Sequence, residues 1–306
     1  MSDGHRPFPL GVTRFSRAPG LAAGAAFALP APLGIFLPGA DRPNIAPPRL
    51  SAKEQAHRLV AAFAGRAAGG VFPHILRAEV AQGLDARIDL PTLVSQEQSS
   101  LCGPSALVVN LATHDPIAYV RYVVDLFERG EADIQRLHVT AGSDLRTYDP
   151  SGKIQPADWI AVASLRDSEN YFFDYQSVDN EFAGITLPGD LTSWFEKIGY
   201  RNVFNETNLL SSKDEKNLRQ ADLLFRDDYW VCLFINADLL SAATQTDGSM
   251  FPNHWVVQTG PLSLAGGTVS LDIFTWGQGR FHVPSGRPIT LAAFLKDYYG
   301  YVAAKY

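Results

Sequence analysis

Helical and strand patterns occupy different parts of this 306-residue chain, and this order restricts the fold most. Helical patterns prevail up to about residue 199, and strand patterns prevail after it. Helices followed by strands that are joined by short, turn-rich links are typical of an α+β domain with an antiparallel sheet. The predicted helices cover residues 51–68, 104–113, 116–130, 156–170, 188–199 and 214–227, and the predicted strands cover residues 201–206, 229–237, 254–260, 268–277 and 280–284.

Capping residues support several of these helices. Ser51 is followed three residues later by Glu54, which is a capping-box arrangement. Asp115 precedes a proline at the first helical position, and Gly130 stands where that helix is predicted to end.

The first 50 residues differ from the rest of the chain. Residues 18–40 carry no charge and are long enough to span a bilayer, but prolines and glycines interrupt them repeatedly. We therefore expect no membrane insertion. Residues 1–50 are predicted to be a Pro/Gly/Ala-rich leader that is partly extended or disordered, and a cleaved signal peptide is the alternative. Residues 51–306 are predicted to form one domain.

Composition excludes several classes of protein. The net charge of −6 provides no basic surface for nucleic acid. Two cysteines make neither a disulfide framework nor a zinc site. The chain has none of the short motifs typical of zinc peptidases, P-loop proteins, serine hydrolases or dinucleotide-binding proteins. The sequence predicts neither a metal ion nor an organic cofactor.

Cys102 is the candidate nucleophile. It stands directly before Gly-Pro and an apolar helical run, so its sulfur is expected at a helix amino terminus. There the helix dipole and the free backbone amides are expected to lower the pKa of the thiol and stabilise a thiolate. Cys232 lies within an apolar strand pattern, and we expect it to be a buried structural residue.

Two further side chains complete a possible acyl-transfer site. The amide of Gln96, on a polar segment before Cys102, is suited to stabilise an oxyanion beside the backbone N–H of Cys102, and Gln98 is the alternative. His254 begins a late strand and is the candidate base, in a thiolate–imidazolium couple with Cys102.

These residues resemble the papain-like cysteine peptidase superfamily. Gln96, then Cys102 followed by Gly-Pro, and His254 followed by tryptophan carry the resemblance. The Cys-Gly-Pro form is nearer to bacterial branches, such as the leader-processing domains of bacteriocin exporters, than to eukaryotic cathepsins. Residues 95–302 are also similar to bacterial papain-like effector toxins, in the stretches LCGPSALVVNL, ASLRDSENYFFDYQS, AGITLPGDLTSWF, NHWVVQTGPL and LDIFTWG.

The resemblance implies a third catalytic residue that orients the imidazole. In the superfamily this residue is an Asn or Asp at the end of the strand that follows the histidine strand. The directly matching positions here are Phe274 and Thr275. Asp272 is the nearest carboxylate and is the residue we predict, with Thr275 or Gln278 as substitutes.

The resemblance also implies a fold, a reaction and partners. A helical subdomain carrying Cys102 would pack on an antiparallel sheet carrying His254, with the active site in the groove between them. The expected reaction is cleavage of a protein substrate through a thioester, and the expected partners of an effector are an immunity protein and a secretion apparatus. Such a protein would be soluble in the cytoplasm of the producer and delivered into a target cell by a contact-dependent system.

Other functions fit the same residues. A glutamine deamidase, a transglutaminase and a peptidoglycan amidase would each use the same Cys–His couple. A catalytically inactive binding module is a further alternative. Trp255 and Trp276 are expected to pack within the hairpin, and the polar cluster Arg166, Asp167, Glu169 and Asn170 is expected to be a solvated or salt-bridged helix end, with substrate recognition as the second interpretation.

Overall fold

The computed structural model describes residues 50–67, 69–97, 101–169, 185–240, 251–275, 277, 280–283 and 288–306. All but the last residue of the predicted leader lies outside these ranges, and so do Gln98, Asn170, Trp276 and Gln278. The described residues belong to one compact unit that covers residues 49–306.

Helices fill most of the first half of the described chain, and a π-helical turn over Trp159–Ala163 joins two of them. The helices are α1 Ala52–Ala64, α2 Arg77–Asp89, α3 Cys102–His114, α4 Pro116–Arg129, α5 Ser143–Thr147, α6 Pro156–Asp158, α7 Ser164–Ser168, α8 Pro188–Lys197, α9 Glu215–Arg226 and α10 Leu291–Lys296.

The predicted caps are present at the ends of these helices. The hydroxyl of Ser51 accepts a hydrogen bond from the backbone N–H of Glu54, and the Glu54 carboxylate accepts one from the N–H of Ser51. The side chain of Asp115 caps α4, and Gly130 ends α4 in the left-handed conformation at a φ of 78°. The capping box predicts the start of α1 correctly, whereas α1 ends at Ala64 rather than near residue 68.

Most of the strands come late in the chain. They are β1 Glu131–Ile134, β2 Leu137–Thr140, β3 Arg201–Asn205, β4 Trp230–Ile235, β5 His254–Gln258, β6 Thr268–Val269, β7 Leu271–Phe274, β8 Arg280–Val283, β9 Ile289–Thr290 and β10 Tyr298–Lys305. Within the described ranges, one sheet has six strands in the order β3-β10-β4-β5-β7-β8, and its neighbouring strands pair antiparallel. Helices with an antiparallel sheet confirm the α+β class.

The six-stranded sheet is covered by helices on both faces. On one face, Phe234, Trp255 and Val257 pack in the same core as α3 and α4. On the other face, Leu233 and Val256 share a core with α9 and α10, in agreement with the alternation of side chains along a strand. The central strands β4 and β5 are therefore buried on both sides, which explains their continuous apolar sequences.

Helix α3 packs directly on β5. The register places His254 opposite Ile235 of β4, at the end of the sheet where β5 begins. The fold thus brings the first turn of α3 and the first residues of β5 to the same region of the molecule. Among the described helices, none is long and apolar enough to cross a membrane.

Candidate active site

Cys102 is the first residue of α3. Proline is well tolerated in a first helical turn because its missing N–H would have no partner there, and Pro104 occupies that turn. The run from Cys102 to Ala112 is buried, and Cys102 itself is 5% exposed. The sequence correctly predicts the place of this cysteine at a helix start.

His254 is the first residue of β5 and is also buried. Its Nε2 lies 2.7 Å from the hydroxyl oxygen of Thr275, the residue that directly follows β7. A hydrogen bond on one ring nitrogen determines the orientation of the ring and the role of the other nitrogen. Thr275 therefore orients His254.

Thr186 and Trp255 connect the start of α3 to the start of β5. The indole N–H of Trp255 donates to the backbone oxygen of Thr186 at 2.9 Å. A Cβ on Gly103 would lie 2.3 Å from the Thr186 hydroxyl oxygen, so the close approach of this segment to α3 requires glycine. The backbone N–H of Trp255 is close enough to the Cys102 sulfur to lower its pKa. Because His254 directly precedes Trp255, its backbone begins β5 beside the start of α3.

Burial controls the charges of both groups. It raises the pKa of the Cys102 thiol, and the backbone amides of Trp255 and Gly103 and the charge of Arg166 oppose this rise without reversing it. Burial lowers the pKa of His254 to about 3. The helix start does favour the thiolate, but desolvation outweighs it. The predicted lowering of the Cys102 pKa is thus wrong for this structure, and burial disfavours the charged forms of both members of the predicted thiolate–imidazolium couple.

We expect iodoacetamide to alkylate Cys102 at pH 7 more slowly than it alkylates free cysteine. Because the pKa of the thiol is raised, the alkylation rate should increase about tenfold per pH unit and continue to increase beyond about pH 9. Peptide mass mapping would separate Cys102 from Cys232, and the chain unfolded in guanidinium is the control with an ordinary thiol. A rate that is constant between about pH 6 and pH 8 would show an ion pair instead.

Asp272 does not orient His254. Its carboxylate lies 2.7 Å from Nδ1 of His282, the residue opposite it on β8. Asp272 alternates with Leu271 and Ile273 along β7, whereas Thr275 lies beyond the end of the strand and contacts the histidine. The prediction of Asp272 is corrected to Thr275, which is one of the two directly matching positions.

The segment that carries Gln96 is held by a buried ion pair. Asp158, which is fully buried, accepts hydrogen bonds from Arg87 and from the backbone N–H of Ser95. A Cβ on Gly277, whose φ is 69°, would lie 2.4 Å from Cβ of Ser95. The segment of Gln96 therefore packs against the loop that follows Thr275, and Gln96 is 4% exposed at this end of the sheet.

Arg166 is buried and lies close enough to Cys102 to affect its charge, which the sequence did not predict. It is 6% exposed, and its guanidinium donates to the backbone oxygen of Ile185 at 3.4 Å. Its charge acts on Cys102. The carboxylate of Asp167 accepts a hydrogen bond from the N–H of Gly142. The carboxylate of Glu169 accepts hydrogen bonds from Trp194 and Lys197. The expectation of a solvated or salt-bridged helix end is confirmed for Glu169, which forms an ion pair with Lys197, whereas Arg166 is buried and not solvated.

Two predictions about neighbouring side chains agree with the structure. The ring of Trp255 stacks on Phe234 with a centroid distance of 4.3 Å, and Cys232 is fully buried in β4. In the part of the chain that the structure describes, no group of three or more His, Cys, Asp or Glu side chains could hold a metal ion.

Comparison of the chain with protein-family models, with curated proteins and with solved structures gives no match.

Proposed function

We propose that this chain is a cysteine-dependent hydrolase of papain-like type that cleaves a protein substrate through a thioester. One observation carries the proposal: Cys102 begins a helix beside the first residues of β5, where His254 is oriented by Thr275. The helical part that carries the cysteine packs on the antiparallel sheet that carries the histidine, which is the arrangement that the sequence resemblance implies.

Because burial disfavours charge on both members of the couple, general-base activation is suggested. In the proposed reaction the ring carries its proton on Nε2 and donates to Thr275, and Nδ1 takes the proton of the Cys102 thiol as the sulfur attacks the carbonyl carbon. The protonated ring then gives this proton to the leaving amine. In the second half of the reaction the ring activates water, which releases the acyl group from the sulfur.

Removing the hydroxyl of Thr275 tests its orienting role. We expect Thr275→Val to lower the rate of acylation about tenfold or more, because the ring loses the contact that fixes its orientation and tautomer. Thr275→Ser should retain most of the rate. The burst of p-nitrophenol released from p-nitrophenyl acetate measures the acylation. An unchanged burst in Thr275→Val would show that the hydroxyl is not needed.

The biological setting is proposed from the resemblance alone. A bacterial effector of this kind would act on a protein of the target cell. An immunity protein would block its active site in the producer, and a secretion apparatus would deliver it.

The proposal is tested by expressing the wild type and Cys102→Ala in a bacterial host and mapping new protein termini across the proteome. We expect new termini only with the wild type. Products heavier by about 1 Da, without new termini, would show a deamidase on the same couple, and released wall fragments would show a peptidoglycan amidase. Termini that are identical with both variants would contradict the proposal.

A second candidate is a binding module without catalysis. The burial of Cys102 and the raised pKa of its thiol favour it, because a neutral and enclosed sulfur is a poor nucleophile. No reaction that depends on Cys102, in cells or with p-nitrophenyl acetate, would select this function.

A further inference from the structure

The hydroxyl of Thr186 is buried against the first turn of α3. Thr186 is fully buried, and among the described residues its hydroxyl oxygen has no hydrogen-bond partner. This oxygen is also the atom nearest to a Cβ built on Gly103, which directly follows Cys102. A buried hydroxyl without a hydrogen-bond partner destabilises the fold by about 1–3 kcal/mol. Valine has nearly the same shape as threonine and would avoid this cost, so the hydroxyl points to a functional role.

The groups around this hydroxyl favour negative charge. The backbone amides of Cys102 and Gly103 lie at the amino terminus of a 13-residue helix. Both amides act on the sulfur of Cys102, and the charge of Arg166 acts on it as well. Trp255 binds the backbone oxygen of Thr186 at 2.9 Å and so holds the residue in place. An anion that forms at an attacked carbonyl beside the sulfur would find these donors already oriented.

We propose that Thr186 is a catalytic residue whose hydroxyl donates a hydrogen bond to the oxyanion of the tetrahedral intermediate. This inference rests on the proposed function. It adds a donor to the Gln96 amide and the Cys102 N–H expected from the sequence, and it specifies an acyl carbonyl as the group bound beside Gly103.

The step can be written for p-nitrophenyl acetate. The thiol proton of Cys102 passes to His254, the sulfur forms a bond to the carbonyl carbon, and the π electrons of the carbonyl move to its oxygen. Thr186 donates its hydrogen bond to this oxyanion and keeps its proton. The oxyanion then collapses, the bond to p-nitrophenolate breaks, and an acetyl thioester remains on the sulfur. His254 releases its proton to the solvent.

The test compares two reactions of the same sulfur. Acylation by p-nitrophenyl acetate passes through an oxyanion, whereas alkylation by iodoacetamide displaces iodide from a saturated carbon and forms none. We expect Thr186→Val to lower the acylation burst about 10²-fold and to leave the alkylation rate and the melting temperature unchanged, or the melting temperature raised. Thr186→Ser should restore the burst.

Thr259→Val is the matched control. Its hydroxyl oxygen is also buried and without a partner among the described residues, but it lies just beyond the far end of β5. We expect this variant to acylate and alkylate like the wild type. If Thr186→Val does not fold, the comparison of Thr186→Ala with Thr186→Ser measures the same hydroxyl.

The remaining outcomes would overturn the inference in distinguishable ways. A normal burst in Thr186→Val that disappears in Cys102→Ala would reject Thr186 and leave the proposed function standing. An equal loss of acylation and alkylation in Thr186→Val would show a structural role. Equal bursts in the wild type and Cys102→Ala would reject the proposed function, and the inference with it.

Discussion

Cys102→Ala is expected to abolish the acylation burst and the release of new protein termini, with a loss of at least about 10⁴-fold in turnover. The reason is chemical: in the proposed reaction the sulfur of Cys102 forms the covalent intermediate, and alanine has no nucleophile. Since Cys102 is nearly enclosed, the substitution leaves only a small cavity, and the fold should be retained. Turnover is measured with p-nitrophenyl acetate and, once a cleaved protein has been found, with that protein.

Cys232→Ala is the matched control for this experiment. Cys232 is also buried, but it lies in the middle of β4, and burial raises the pKa of its thiol. We expect the variant to lose some stability and to keep its activity when assayed below its melting temperature. Equal losses of activity in the two cysteine variants would indicate that stability, and not the nucleophile, is being measured.

His254→Gln is expected to lower acylation by about 10³-fold or more, because glutamine cannot act as the proposed base for the thiol of Cys102. The loss should be larger than that of Thr275→Val, since valine at position 275 leaves the base itself in place. His114→Gln is the control, because His114 lies at the opposite end of α3 and lines a separate cavity of about 280 Å³. Equal activities of the two histidine variants would contradict the role of His254.

The pH dependence of the acylation rate is a second test of the role of His254. Burial holds the pKa of His254 at about 3, so the ring remains neutral and able to act as a base well below its ordinary pKa. Acylation by the wild type should therefore vary little between about pH 4.5 and pH 7. A loss centred near about pH 6.5 would show that the ring titrates as an ordinary imidazole.

The lowered pKa of His254 also makes the free energy of unfolding depend on pH. Above about pH 6.5, histidine is neutral in both the folded and the unfolded chain, and His254 adds no dependence on pH. As the pH falls below this value, the unfolded chain takes up a proton that the folded chain excludes, so the free energy of unfolding decreases. His254→Gln should lack this part of the pH dependence in denaturant titrations.

Much of the secondary structure follows from local sequence signals. The capping box of Ser51, the Asp115-Pro116 pair and Gly130 act within one or two helical turns, so they can be read without knowledge of the fold. The apolar strand runs around Cys232 and Val256 are similarly local. The C-terminal strand β10 was missed, although it pairs with both β3 and β4, because its sequence of tyrosines, alanines and one glycine has no clear alternation.

Helix α2 was missed for a related reason. Its polar Arg87 is buried because it pairs with Asp158 of α6, a residue far along the chain. A buried charge breaks the amphipathic pattern by which a helix is recognised. Only the fold supplies the partner that makes this burial possible.

By itself, the sequence determined the place of Cys102 at a helix start, the α+β class and the choice of His254 as the candidate base. The tertiary structure decided that Thr275, and not Asp272, contacts the histidine, and that Arg166 and Thr186 lie beside the start of α3. It also decided that burial disfavours charge on both Cys102 and His254. The physical reason is that a helix cap depends on residues a few positions apart. Cross-strand contacts, burial and the resulting pKa values depend on segments that are brought together only when the chain folds.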